Sequence, residues 1–89
     1  MLELYIETRC RKEIRRGKKR GKELHKLWSV VDKLRKFEPL DIRNRPHRLS
    51  GKWYPAWECH IEPDWLLIYH ITDKSLVLVR TGTHSDLFE

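Results

Sequence analysis

The chain has 89 residues, a net charge of +6 and 39% hydrophobic residues, including four tryptophans and only two cysteines. That length holds one domain, residues 1–89, whose single core can bury roughly 60–65% of the unfolded surface. The totals exclude a disordered chain, a disulfide scaffold, a structural zinc site without histidine ligands and a membrane span, since the longest apolar run is Trp65 to Tyr69. A cytoplasmic protein with reduced thiols and no membrane association is expected.

LELYI (2–6) alternates Leu2, Leu4 and Ile6 with polar partners and reads as a half-buried strand. Thr8 is placed to cap a following helix over 9–20. That helix has only Cys10 and Ile14 as an apolar pair and stops near Gly17 or Gly21. From Arg9 to Lys26 there are ten Lys or Arg against two acids, giving this window +8 while the rest of the chain sums to −2. A basic block on a near-neutral body suits a polyanionic partner, although the same pattern also describes a solvated helix face. A second helix follows, with Leu24, Leu27, Trp28, Val31 and Leu34 on one face, Phe37 extending it and Pro39 ending it. Residues 38–52 read as a loop.

Trp57, Cys59 and Ile61 alternate with Glu58, His60 and Glu62 in the next strand, and Pro63-Asp64 makes a turn. WLLIYHI (65–71) is apolar on both faces, as a central strand should be. Thr72 to Ser75 forms a hairpin turn, and Leu76 to Arg80 is the last strand. The order β-α-α-β-β-β predicts an α+β domain, a small antiparallel-rich sheet with both helices on one face.

Several polar residues are not needed by such a fold. His60 lies on the polar side of its strand with Glu58 and Glu62. Asp64 starts the next strand, and Arg80 continues the Leu76–Leu78 face if the last strand stays regular. His84 follows the strand end, and His47 lies in the preceding loop. Antiparallel pairing can gather His60, Asp64, Arg80 and His84 at one end of the sheet. Each also has an ordinary reading: an exposed strand residue, a turn residue, a partner for a carboxylate, a cap. No HxH, HxxxH or CxxC spacing supports a metal site, and no cofactor is expected. Together the residues supply proton transfer and a cation, the parts that RNA cleavage by its own 2′-hydroxyl requires.

ECHIEPDWLLIYHI (58–71) followed by LVLVRTGTHSDLF (76–88) resembles the YafQ-like branch of the RelE/ParE toxin superfamily. The match is dense over residues 47–88 and looser before them. The resemblance implies an mRNA interferase that enters the ribosomal A site and cuts the message without a metal. It implies that His60, Asp64 and His84 carry proton transfer with His47 assisting, that Arg80 holds the scissile phosphate, and that Trp65 and Phe88 position or stack on a base. The basic block, in particular Lys12, Arg15, Arg16, Lys18 and Lys19, would then meet ribosomal RNA through phosphates. The partner implied is a cognate antitoxin of DinJ/RelB type with a ribbon-helix-helix part and an acidic segment. Pro55-Ala56-Trp57 departs from the family pattern, which often has a glycine and then an arginine before ECH. Two other functions share the fold: a ParE-like gyrase inhibitor, which usually lacks this histidine set, and a non-catalytic nucleic-acid-binding relative.

Overall fold

The computed structural model describes residues 1–88. Its elements are β1 (Glu3–Ile6), α1 (Thr8–Lys19), α2 (Leu24–Arg35), β2 (His47–Arg48), β3 (Trp57–Glu62), β4 (Trp65–Ile71), β5 (Ser75–Gly82) and α3 (His84–Phe88). The sheet order is β1-β5-β4-β3-β2, with β1 parallel to β5 and every other pair antiparallel. The α+β reading holds, with β2 and α3 added to the expected elements. Both are short, and neither has a run long enough to show a period.

α1 packs with its two apolar residues, Cys10 and Ile14, and buries Glu13 between them. Thr8 does not cap it: Glu7 stands at the N-cap without a side-chain bond, and Thr8 is the first helical residue. Gly17 lies inside the helix. The stop is Gly21, at φ 88°, where the Lys22 and Gly21 amides donate to the Gly17 and Lys18 carbonyls. This Schellman closure satisfies carbonyls that the helix end leaves open. α2 closes the same way at Phe37, with Glu38 donating to Lys33, so the helix ends before Pro39 acts.

α2 buries Leu27, Val30, Val31 and Leu34. Trp28 and Phe37, expected on this face, are 38% and 69% exposed. The buried stripe is narrower than the one drawn from sequence, and Val30 takes the place given to Trp28. α1 and α2 together cover one sheet face, against Cys59, Leu67, Tyr69, Leu76 and Leu78. Because β4 alternates, Leu66 and Ile68 face the other way. There Ala56, Leu87, Leu49, Trp53, Val79 and Phe88 close a second, smaller core. The 49–56 loop and α3 therefore cover the face that the two long helices leave open. Ala56, at the departure from the family pattern, serves this second core.

Two irregularities set which side chains share a face. The register shifts between His60 and Glu62, and again where Ile68 pairs Arg80 while Tyr69 pairs Leu78. The first turns Glu62 toward the helices, where Lys26 Nζ reaches it at 2.7 Å, so Glu62 does not share the face of His60. The second leaves Val79 as an extra residue and places Arg80 opposite Ile68. Arg80 thus does not continue the Leu76–Leu78 face, as a regular strand would have required. No helix among the described residues is long and apolar enough to cross a membrane.

Candidate active site

The face away from α1 and α2 carries the candidate residues in rows across the strands. One row runs His47, Glu58, Ile68, Arg80; the next runs His60, Leu66, Gly82. At about 4.8 Å per strand, the backbones of His47 and Arg80 lie roughly 14 Å apart, and a residue on β3 lies roughly 10 Å from its counterpart on β5. Those spans suit a bound nucleotide strand with groups on either side of it, not one tight cluster of side chains.

The hairpin turn after β3 and the end of β5 meet at one corner. The His84 backbone N–H donates to Asp64 Oδ1 at 2.9 Å, fixing the start of α3 to the 63–64 turn. His60 Nδ1 lies 3.2 Å from the Pro63 carbonyl of the same turn. A carbonyl only accepts, so this contact is a hydrogen bond when Nδ1 carries the proton, which leaves Nε2 as the acceptor of a neutral ring. His84 is exposed, with its ring 5.0 Å from that of Phe88. Phe88 also meets the edge of Trp53 at 6.1 Å. α3 is only five residues long and is held by a reciprocal box: Thr83 N–H donates to Asp86 Oδ2 at 3.0 Å, and the Asp86 N–H donates to Thr83 Oγ1 at 3.1 Å. These bonds hold the Asp86 carboxyl below the usual carboxylate range, the Thr83 amide first among them and Arg20 assisting. Gly82 leaves room for that box, because a Cβ there would stand 3.0 Å from the Asp86 side chain.

Arg80 is 6% exposed and gripped by Glu13 of α1. Its Nε donates to both carboxylate oxygens, at 3.0 and 2.9 Å, and its Nη2 to Oε2 at 2.7 Å. Nη2 also reaches the Asp86 carbonyl at 3.4 Å, while Nη1 has no protein acceptor among the described residues. The guanidinium is therefore oriented, and one edge is left to donate.

At the opposite end of the row, His47 Nε2 lies 3.2 Å from Glu58 Oε1, and its Nδ1 lies 3.0 Å from the Arg45 carbonyl. Both ring nitrogens face acceptors, so satisfying both takes one proton more than a neutral imidazole and a carboxylate hold between them. Glu58 Oε2 is the buried side-chain atom left without a partner among the described residues. His60 also borders a cleft of about 760 Å³ between α2 and the 41–45 turn, where Lys33, Arg43 and Arg45 stand.

Trp65 corrects an expectation. It is 3% exposed, belongs to the helix-side core, and donates from Nε1 to Thr81 Oγ1 at 3.0 Å. Lys22 Nζ stands over its ring, 5.6 Å from the centroid. A ring enclosed in this way has no face to offer a base; it is a packing residue that locks β4 to β5. Lys12, Arg15, Arg16, Lys18 and Lys19 are all exposed on α1. Cys10 and Cys59 are buried free thiols, each pushed up to about 12 by burial, and neither is a nucleophile.

A family model described as the bacterial toxin of type II toxin-antitoxin systems, YafQ, matches residues 2–89. The chain belongs to the YafQ toxin family. It is 41% identical over 78 residues to the mRNA interferase toxin YafQ of Escherichia coli K12, covering 86% of this chain and 85% of that one. Among solved structures, a copper-bound mutant toxin from Helicobacter pylori superposes with a TM-score of 0.95 at 42% identity, covering 99% of this chain and all of that one. YafQ in the E. coli DinJ-YafQ toxin-antitoxin complex gives 0.90 at 36% identity, covering 99% and 98%. Among the described residues of this YafQ-family chain, no group of three His, Cys, Asp or Glu is placed to hold a metal ion.

Three residues of this YafQ-family site escaped the sequence reading. Glu58 was read as one more polar position on β3; its pairing with His47 depends on β2, which is two residues long. Glu13 was counted only as an acid diluting a basic helix. Its position next to Ile14 and one turn from Cys10 on the buried stripe was the available signal. Asp86 three residues after Thr83 is a capping-box spacing that can be read directly from the sequence.

Proposed function

We propose that this toxin is an endoribonuclease that cuts messenger RNA in the ribosomal A site, using the 2′-hydroxyl of the RNA as nucleophile and no metal. The observation that carries the reading is the corner where the 63–64 turn meets α3, with exposed His84 fixed through its backbone to Asp64 and His60 bonded to the same turn. The 2′-oxygen attacks the adjacent phosphorus, a base takes its proton, and an acid protonates the departing 5′-oxygen. His60 and His84 share these two transfers, because an imidazole both gives and takes a proton near neutral pH. Asp64 holds His84 in place and adds negative charge beside it. Arg80 donates from its open Nη1 edge to the phosphorane, where a pre-oriented guanidinium needs no reorganisation. His47, backed by Glu58, assists from the far side of the strand. Phe88 offers the base platform, with Trp53 behind it.

The E. coli relative is named an mRNA interferase and forms a toxin-antitoxin complex with DinJ, which supports both the substrate and a cognate antitoxin as the partner of this chain. End-group analysis tests the chemistry. Cleavage by the 2′-oxygen yields an upstream 2′,3′-cyclic phosphate and a downstream 5′-hydroxyl, and one 2′-deoxy substitution before the cut stops it. A downstream 5′-phosphate, or normal cutting at the deoxy site, would make water the nucleophile and remove these roles.

A further inference from the structure

The cations of α1 divide into two stripes. Arg9, Lys12 and Arg16 recur at spacings of three and four and so share one side of the helix with Glu13. Arg11, Arg15 and Lys18 repeat the spacing on another side. Only the first stripe borders a hollow beside Arg80, about 390 Å³ in volume, lined also by Glu13 and Asp86. A second hollow of about 390 Å³ continues from Arg9 and Arg80 to Lys52 and Trp53.

The acids at this place are already committed. Glu13 accepts from Arg80 and from the Thr81 N–H at 3.2 Å. Asp86 accepts from the Thr83 N–H and from Arg20 at 3.3 Å. Among the described residues, Arg9 and Lys12 have no acidic partner, and Arg16 stands 4.0 Å from a carboxylate that Arg80 holds more closely. The stripe from Arg9 to Arg16 extends roughly 10 Å along the helix, more than one phosphate needs. It shares its hollow with Arg80 and leads, through the second hollow, to Trp53 of the Trp53–Phe88 aromatic pair. A positive groove beside aromatic rings is how proteins hold single-stranded nucleic acid.

We propose that Arg9, Lys12 and Arg16 form a subsite for a phosphate adjacent to the scissile one, so that the inner stripe of α1 binds the substrate strand and only the outer stripe serves ribosome docking. This rests on the cleavage reading above and adds a second phosphate contact to it. An acidic segment of an antitoxin is the competing occupant. The aromatic continuation and the open edge of Arg80 favour RNA.

The test is an affinity cycle on ribosomes programmed with a message made uncleavable by one 2′-deoxy residue at the cut. A single neutral methylphosphonate replaces the linkage on one side of the scissile phosphate, then on the other. The wild type is compared with Arg9→Gln/Lys12→Gln/Arg16→Gln and with the outer-stripe variant Arg11→Gln/Arg15→Gln/Lys18→Gln. At one of the two linkages the wild type should weaken on the order of tenfold and the inner variant not at all. The outer variant should lose ribosome affinity yet keep the full methylphosphonate penalty. Equal penalties in the wild type and the inner variant at both linkages overturn the subsite. So does an inner variant that matches the wild type on ribosomes and loses only antitoxin affinity. The cycle needs binding and not cutting, so an all-ribose message left whole by the wild type overturns the cleavage reading alone.

Discussion

Replacing Glu13 by alanine isolates the largest electrostatic contact in the fold. The Arg80 and Glu13 side chains are 8% and 6% exposed and share three hydrogen bonds of 2.7 to 3.0 Å. The substitution leaves a buried guanidinium with only the Asp86 carbonyl, and strips the Thr81 N–H of its acceptor. Breaking one side of a buried pair costs about 3–5 kcal/mol. A domain of this length has a total stability of roughly 4–13 kcal/mol, so the variant sits near its unfolding threshold. At about 4–8 °C per kcal/mol, the midpoint should fall by at least about 12 °C. Urea unfolding followed by tryptophan fluorescence gives the free energy, provided the slope with denaturant is unchanged. Glu13→Leu combined with Arg80→Met should recover most of the loss, because an apolar pair replaces a buried ion pair at little cost. Its cleavage should stay absent, since the cation is gone. A loss below about 1 kcal/mol for Glu13→Ala would place the pair in the class of solvated surface bridges and refute the reasoning.

His84→Ala should lower cleavage by about 10²–10⁴ while circular dichroism and ribosome affinity remain, because α3 is held through the backbone of residue 84 and not its ring; full activity would remove the residue from the chemistry. Asp86→Asn should cost about 0.5–2 kcal/mol at neutral pH through loss of the charged cap. Because the folded carboxyl is held below its ordinary value, its stabilisation is present above the unfolded value near 4 and fades as pH falls through the folded one. The gap between wild type and variant in urea midpoints should therefore close under acid, and a gap that widens there would contradict the assigned cause.

The β4 strand was legible because it is apolar at every position from Trp65 to Tyr69, a pattern that only a two-sided core explains. The helices were legible from period and the end of α1 from Gly21, while α2 stops at Phe37 before Pro39 acts. What stayed hidden depended on long-range register. A bulge at Val79 moved Arg80 to the other face, and no local feature of LVLVRTG announces it. β2 owes its existence to β3, and α3 to bonds from Asp64 and within the Thr83–Asp86 box, so neither carries a period of its own. The candidate residues could be named because five polar side chains stand outside the apolar pattern of the strands. The carboxylates that hold or face two of them gave no such signal: Glu13 stands among cations, and Glu58 alternates with apolar residues on β3. The base-stacking role of Trp65 came from the resemblance alone, whereas the two-sided apolar pattern of β4 already placed the ring in the core; its partner Thr81, sixteen residues further along the chain, was not visible locally.

The fifth strand in chain order is an interior strand of the sheet. β5 lies between β4 and β1, and β1 has no other neighbour. While the chain is being synthesised, the first strand and the two basic helices leave the ribosome with nothing to close on. Their apolar stripes wait for Leu76 and Leu78. The strand pairing that joins the two ends of the chain is the slow, non-local kind. The corner bearing His84 needs only β3, β4 and β5, since Gly82 pairs with Leu66 and the His84 amide bonds Asp64; what waits for α1 is the grip of Glu13 on Arg80. Any agent that captures α1 before it closes on β5 therefore withholds an oriented Arg80 and leaves the His84 corner untouched.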